Sequence, residues 1–264
     1  VLRETAPAKV NLYLHITGRR ADGLHLLESL VAFPEAGDAL HAEPADGLSL
    51  DVVGPFAGAL AGEADNLVLR AARALAPGQG ARLVLEKNLP VAAGLGGGSA
   101  DAAAALRLLS RLWGIETDLE PLAAGLGADV PVCLAGTTCG MAGIGERLTP
   151  LPDRSVPYLL LANSGVALPT PAVFGARRGP FRESRPWPQT VAELAGCAND
   201  LTEAAISLAP EVGETLDALA ALDGALFARM SGSGATCFAA FADADLRDRG
   251  RKALRARYPG WWIA

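Results

Sequence analysis

Residues 10–17 read VNLYLHIT, apolar at every second position. Val10, Leu12, Leu14 and Ile16 fall on one face; Lys9, Asn11, Tyr13, His15 and Thr17 fall on the other. The period of two predicts a strand with one buried face, ending at Gly18. After the turn-rich GRRADG, the segments HLLESLVAF, DALHAEP and LSLDVV predict further strands. DNLVLRAARALAPG has helical spacing, with Asp65 at its N-cap and Pro77-Gly78 closing it. ARLVLEKNLP alternates again and runs straight into AGLGGGSADAAAAL. From about Ala100 that stretch predicts the clearest helix of the chain, with Leu106, Leu109, Leu112 and Trp113 along one face.

TDLEPLAAGLG predicts a shorter helix, and TTCGMAG and RLTPLP predict strands. PDRSVP marks a boundary, so the expected domains are residues 1–152 and 153–264. Beyond it, PYLLLAN reads as a buried strand and GPFRESRPWPQ as a proline-rich loop. DLTEAAISLA and VGETLDALAAL read as helices, and LFARM and TCFAAF as strands on either side of an SGSGA turn. DADLRDRGRKALRARY is an amphipathic helix whose basic residues read as a solvated face, and WWIA as a last strand. Strands and helices mix without strict alternation. That pattern predicts an α+β fold in two parts rather than a doubly wound sheet.

Composition narrows the chemistry. Half of the 264 residues are hydrophobic and 20% are charged, enough apolar material for a sizeable core and against disorder. The formal net charge of −6 comes with no basic stripe, which argues against nucleic acid as a partner. An anionic ligand must then be held by local groups, such as backbone amides or a single lysine. The four cysteines form no C-x-x-C pair and the three histidines no H-E-x-x-H spacing, so neither a metal site nor a disulfide framework is expected. The opening VLRETAPAKV is not a signal peptide, and no run approaches the ~18 apolar residues of a membrane span. A soluble cytoplasmic protein without membrane contact is the expectation.

A helix N-terminus exposes unpaired N–H groups and the positive end of the helix dipole, and anions bind there. Glycine admits positive φ and close approach of a ligand, because no Cβ intrudes. Gly94 to Ser99 feeding a helix therefore has the physical form of a phosphate cradle. It lacks the G-K-[ST] ending of a Walker A loop, and Ser99 replaces the last glycine of G-x-G-x-x-G. Taken alone, the stretch equally suits a glycine turn that lets a strand and a helix pack closely. Two other segments bear on the choice. PAKVNL places a lysine and an asparagine on the polar face of the first strand, and MSGSGATCFA is a second glycine turn between apolar strands.

These three segments, in this order, resemble the three motifs of the GHMP kinase superfamily. The resemblance spans residues 7–239. It implies an N-terminal domain like domain 2 of ribosomal protein S5 and a ferredoxin-like C-terminal domain. Further stretches, AKVNLYLHITGRRADGLH, DNLVLRAARAL, GLGADVPVCLAG, GIGERLTPLP and PTPAVF, resemble one branch of that superfamily. That branch uses ATP to phosphorylate the 2-hydroxyl of 4-diphosphocytidyl-2-C-methyl-D-erythritol, in the non-mevalonate route to isoprenoid precursors.

The resemblance implies roles by position. Asp129 in GADVP matches the catalytic base, and Lys9 the lysine that orients it. Pro90, Ala92, Gly94, Leu95, Gly96, Gly97, Gly98, Ser99 and Ala100 match the ATP-binding motif. His25 matches a residue that hydrogen-bonds the cytosine, Phe174 an aromatic ring stacked on it, and Asn11 and Thr170 polar positions on the substrate side. Mg²⁺ would enter with ATP, Ser99 standing where the motif can face it, with no dedicated protein metal site. Leu24 departs from the pattern, because many members carry a tyrosine there and clamp the base between two rings. An aliphatic side chain covers a base by dispersion but offers no π-face. A homoserine or mevalonate kinase would have no use for His25 and Phe174, and a sensor that had lost catalysis no use for Lys9 and Asp129.

Overall fold

The computed structural model describes residues 1–63, 65–151 and 156–264. The boundary expected between residues 152 and 153 lies outside the described residues. In chain order the elements are β1 (Leu2–Pro7), β2 (Val10–Arg19), β3 (His25–Ala32), β4 (Gly37–Pro44), β5 (Leu48–Val53), α1 (Leu67–Leu75), β6 (Ala81–Glu86) and α2 (Gly97–Trp113). There follow α3 (Glu120–Leu126), α4 (Val130–Ala135), β7 (Cys139–Gly143), β8 (Arg147–Pro150), β9 (Tyr158–Asn163), α5 (Thr170–Ala176) and α6 (Val191–Ala195). The chain closes with α7 (Thr202–Leu208), α8 (Glu211–Ala220), β10 (Ala225–Met230), β11 (Cys237–Phe241), α9 (Ala244–Arg257) and β12 (Trp262–Ile263). Helices and strands are mixed, as an α+β chain requires. No helix among the described residues is long and apolar enough to cross a membrane.

These elements gather into two compact units, each built from three segments. The first takes Val1–Lys9, Phe33–Val91 and Gly96–Thr137. Its sheet runs β1-β4-β6-β5, antiparallel except for the parallel β5–β6 pair. Helix α2 lies on β1 and β4, with α1 and α4 against it. The sequence predicts an amphipathic α2, but Ala100 through Leu106 are all buried. Alanine has no bulk beyond Cβ, so neighbours close on every side of these turns, and a helix apolar all round is an interior helix. Leu106, Leu108 and Leu109 are fully buried, each worth about 1.5–3 kcal/mol of apolar burial. Arg107 fixes α2 to its surroundings. It donates to Glu4 Oε1 (2.8 Å) and to the carbonyls of Cys133 (3.0 Å) and Leu134 (3.2 Å), which caps the end of α4.

The second unit takes Val10–Ala32, Ala92–Leu95 and Thr138–Ala264. It holds two antiparallel sheets, β2-β3-β7-β8 and β10-β11-β9-β12; α8 packs on β10 and β11, and α9 on β9 and β12. The single buried face expected of β2 is a correction: Asn11 and Tyr13 are buried as well as Val10, Leu12 and Leu14. Asn11 is tolerated inside because its Nδ2 donates to Ser29 Oγ at 2.8 Å, and Ser29 Oγ donates on to the Tyr13 carbonyl at 2.6 Å. Buried Arg229 donates to the carbonyls of Leu12 (2.5 Å), Cys197 (2.6 Å) and Ala195 (3.2 Å). Burial lowers its pKa to about 10, still far enough above neutrality to keep the charge on.

Candidate active site

In the first unit, Lys9 Nζ donates to Asp129 Oδ2 at 2.9 Å across 120 residues of sequence. Lys9 lies in the short link between β1 and β2 and its side chain is 6% exposed; that of Asp129 is 37% exposed. Asp129 occupies the N-cap position of α4, with Pro131 in the first turn, yet its side chain makes no capping hydrogen bond. Its carboxylate is committed to the lysine instead. A buried ammonium facing a half-open carboxylate is an ion pair with one side available to a ligand.

Gly96 lies beside this pair. It is the N-cap of α2, left-handed at φ +62°. A Cβ there would stand 3.3 Å from Lys9 Cε and 3.9 Å from Asp129 Oδ2. Helix α2 opens at Gly97, three residues before the start that the sequence suggests, so Ser99 and Ala100 are within the helix. With glycine as the cap, no side-chain capping hydrogen bond is made to the opening amides of the helix. At α1 the predicted cap also moves by one residue: Asn66, not Asp65, accepts from the Val68 amide at 2.9 Å. Under Gly97, Lys87 Nζ donates to Asp38 Oδ2 (2.5 Å) and Asp101 Oδ2 (2.7 Å).

The second unit joins residues of all three sequence motifs. Ser231 Oγ accepts from the Asn11 amide (3.1 Å) and donates to the Gly94 carbonyl (3.0 Å). Gly94 has φ +74°, and a Cβ on it would fall 2.4 Å from the Ser231 carbonyl oxygen. Ala92 also has positive φ (52°) and is exposed, whereas Leu95 is buried. Pro90, in the first unit, is buried too. Asn11 is fully buried, and its Oδ1 has no hydrogen-bond partner among the described residues.

The same unit carries a cavity of about 540 Å³ lined by His25, Phe174, Thr170, Leu24, Arg19 and Arg177 among others. The His25 and Phe174 rings lie 5.2 Å apart between centroids, inclined at 35°. Leu24, 49% exposed, sits at the tip of the β2–β3 hairpin, where its amide donates to Asp22 Oδ1 at 3.1 Å. Thr170 Oγ1 and Ser233 Oγ share a hydrogen bond of 2.8 Å, which ties the start of α5 to the 231–234 turn. Burial, then the charges of Arg19 and Arg177, hold His25 below the usual imidazole range. Its ring is neutral at pH 7, so one nitrogen can accept a hydrogen bond while the other donates.

The structure therefore assembles Lys9, Asp129 and Gly96 to Ala100 in one unit, and Asn11, Gly94, His25, Thr170 and Phe174 in the other. Sequence reasoning missed Ser231, Ser233, Asp38, Lys87 and Asp101. The two serines lie inside the SGSG turn, where their spacing was a usable signal. Lys87 and its two carboxylates, at positions 38, 87 and 101, are far apart in sequence and left none. Among the described residues no group of three or more His, Cys, Asp or Glu could hold a metal ion. Cys133, Cys197 and Cys237 are free thiols.

Residues 66–143 match the family described as GHMP kinases N terminal domain, and residues 188–260 match GHMP kinases C terminal. The chain belongs to the GHMP kinase family. Within it, the chain is 55% identical over 271 residues to a protein of Cereibacter sphaeroides (strain ATCC 17029 / ATH 2.4.9), covering 98% of this chain and 96% of that one. A Rhodospirillum rubrum protein is 54% identical, over 99% of this chain and 90% of its own. Both bear the name 4-diphosphocytidyl-2-C-methyl-D-erythritol kinase. A crystal structure of 4-(cytidine 5'-diphospho)-2C-methyl-D-erythritol kinase superposes with a TM-score of 0.84 at 38% identity, covering 99% of this chain and 98% of the other.

Proposed function

We propose that this kinase transfers the γ-phosphoryl group of ATP to the 2-hydroxyl of 4-diphosphocytidyl-2-C-methyl-D-erythritol, a step toward isoprenoid precursors. The observation that carries the chemistry is the Lys9–Asp129 pair at 2.9 Å beside Gly96. Asp129 accepts the hydroxyl proton as the acceptor oxygen attacks the γ-phosphorus. The bond from that phosphorus to the bridging oxygen breaks, and ADP leaves. Lys9 aims the carboxylate and favours the developing alkoxide. Residues 94–99 present amides to the phosphates. Phosphoryl transfer asks chiefly for positioning and charge neutralisation, so a base, a lysine and an amide cradle suffice.

The 540 Å³ cavity supports the choice of acceptor. Phe174 offers a flat face for a pyrimidine, and neutral His25 offers a donor and an acceptor to its edge. Mg²⁺ fits the donor set as a passenger on ATP, because it favours phosphate oxygens and water over a protein cage. Ser99, at the motif position, would be the side chain to face it, and when bound it would neutralise phosphate charge. The test is ADP release from Mg-ATP with the cytidylyl substrate, beside homoserine and mevalonate. Turnover confined to the first is expected. Turnover with either of the others discards the cytidine pocket, and ATP binding without any turnover makes the chain a nucleotide sensor.

A further inference from the structure

The buried ammonium of Lys87 closes a ring of contacts at the base of the glycine stretch. Its Nζ bridges Asp38 Oδ2 (2.5 Å) on β4 and Asp101 Oδ2 (2.7 Å) in the second turn of α2. Asp38 Oδ1 accepts from the amides of Asn88 (2.5 Å) and Leu89 (2.8 Å), which lead into the stretch. The chain between β6 and α2 is thus held at its entry by Asp38 and at its exit by Asp101, and Lys87 links the two. The opening turn of the helix rests on this cluster, since a Cβ on Gly97 would meet Lys87 Nζ at 3.1 Å and Asp38 Oδ2 at 3.7 Å.

Stability alone does not call for such a cluster. All three side chains are at most 4% exposed, and two carboxylates face one ammonium. Asp101 Oδ1 has no hydrogen-bond partner among the described residues. Burying charges with an orphaned oxygen generally costs more than packing apolar groups in the same space. Burial raises the Asp101 pKa to about 7 against the pull of Lys87, with Asp38 adding repulsion, which measures how poorly the site tolerates the second charge. A role outside stability explains its presence.

We propose that Asp38, Lys87 and Asp101 form a clasp that positions the amides of Gly96 to Ala100 for the phosphates of ATP, with Asp101 the positioning residue at the exit. This rests on the assignment of residues 94–99 as the phosphate cradle. Asp101→Ala opens the exit while leaving Lys87 and Asp38 as a paired ammonium and carboxylate, so no buried charge is stranded. Asp101→Asn keeps an oxygen for Lys87.

Mg-ATP binding by calorimetry and steady-state kinetics test the clasp. The alanine variant should bind ATP about tenfold or more weakly, with the KM of the acceptor unchanged, as expected when groups are misplaced by a fraction of an ångström. The asparagine variant should recover most of that loss. A folded alanine variant with wild-type ATP affinity, or an asparagine variant no better than alanine, overturns the clasp. If the alanine variant does not fold, Asp101→Ser takes its place with the same expected and refuting results. Wild-type protein that bound no ATP would instead overturn the cradle itself.

Discussion

Gly94, Gly96 and Gly98 alternate along one stretch, yet a methyl group added at each meets a different obstacle. At Gly94 (φ +74°) the new Cβ falls 2.4 Å from the Ser231 carbonyl oxygen and 2.8 Å from the Gly234 amide nitrogen. Both are backbone atoms that cannot rotate away. The left-handed conformation costs about 1–2 kcal/mol for a residue with a Cβ, and forcing apart a packed contact adds about 1–3 kcal/mol. Gly94→Ala should therefore cost several kcal/mol, a large share of the ~5–15 kcal/mol that holds a domain together. At Gly96 (φ +62°) the obstacle is the flexible Lys9 side chain at 3.3 Å. The cost there is about 1–2 kcal/mol, nearly all conformational.

Gly98 has no positive φ, and its Cβ would rest in ordinary contact, 3.5 Å from Leu67 Cδ1. Gly98→Ala should be neutral or stabilise by up to about 1 kcal/mol, because it restricts the unfolded chain. Urea unfolding followed by tryptophan fluorescence, with m-values checked for equality across the series, ranks the three. Midpoints that fall equally for Gly94→Ala and Gly98→Ala would refute the geometry. So would a larger loss at Gly96 than at Gly94.

Asp129→Ala should lower kcat by about 10²–10⁴-fold, the usual worth of a general base, while ATP still binds; near wild-type turnover would remove Asp129 from that role. Phe174→Ala should raise the KM of the cytidylyl acceptor by the equivalent of about 1–3 kcal/mol of stacking, whereas Leu24→Tyr should lower it. Unchanged KM values in both would place the base elsewhere. His15 offers a test by pH. Burial, then the Arg182 charge, hold its pKa below 6.5, and its Nε2 accepts from the Ala198 amide at 3.4 Å. As pH falls below 6.5 the unfolded chain protonates this histidine before the folded chain does, so its contribution to stability is lost toward acid. An NMR titration should place its midpoint below 6.5, and a midpoint at or above that value would contradict the burial.

Alternation and caps made much of the secondary structure legible before any coordinates. Strands such as β6, which alternates, and β11, a short apolar run, are bounded by turn residues, and their type follows from local pattern. Helices α4 and α5 were hidden because each begins around a proline (Pro131, Pro171) in a run too short to show a helical period. The inside of β2 was misjudged for another reason. Asn11 looks solvent-facing until Ser29 supplies the partner that lets its side-chain amide be buried. Of the candidate site, Lys9, the glycines and Asp129 stood out only as a set, since each alone suits a surface lysine, a turn or a helix cap. The Lys87 clasp left no trace in spacing, because positions 38, 87 and 101 meet only through tertiary packing.

The interleaving of segments also sets an order of assembly on the ribosome. The segment Val10–Ala32 emerges early, yet most of the unit it belongs to comes after Thr138. The first unit has all its parts once Thr137 has cleared the exit tunnel. At about 5–20 residues per second, β2 and β3 wait on the order of 10–40 seconds for β9, β10 and β11 to be made. During that interval the apolar residues of β2 and β3 are exposed in the nascent chain. A chain stalled at the point where residue 137 has just cleared the exit tunnel should carry a protease-resistant first unit and a still-cleavable β2–β3 hairpin.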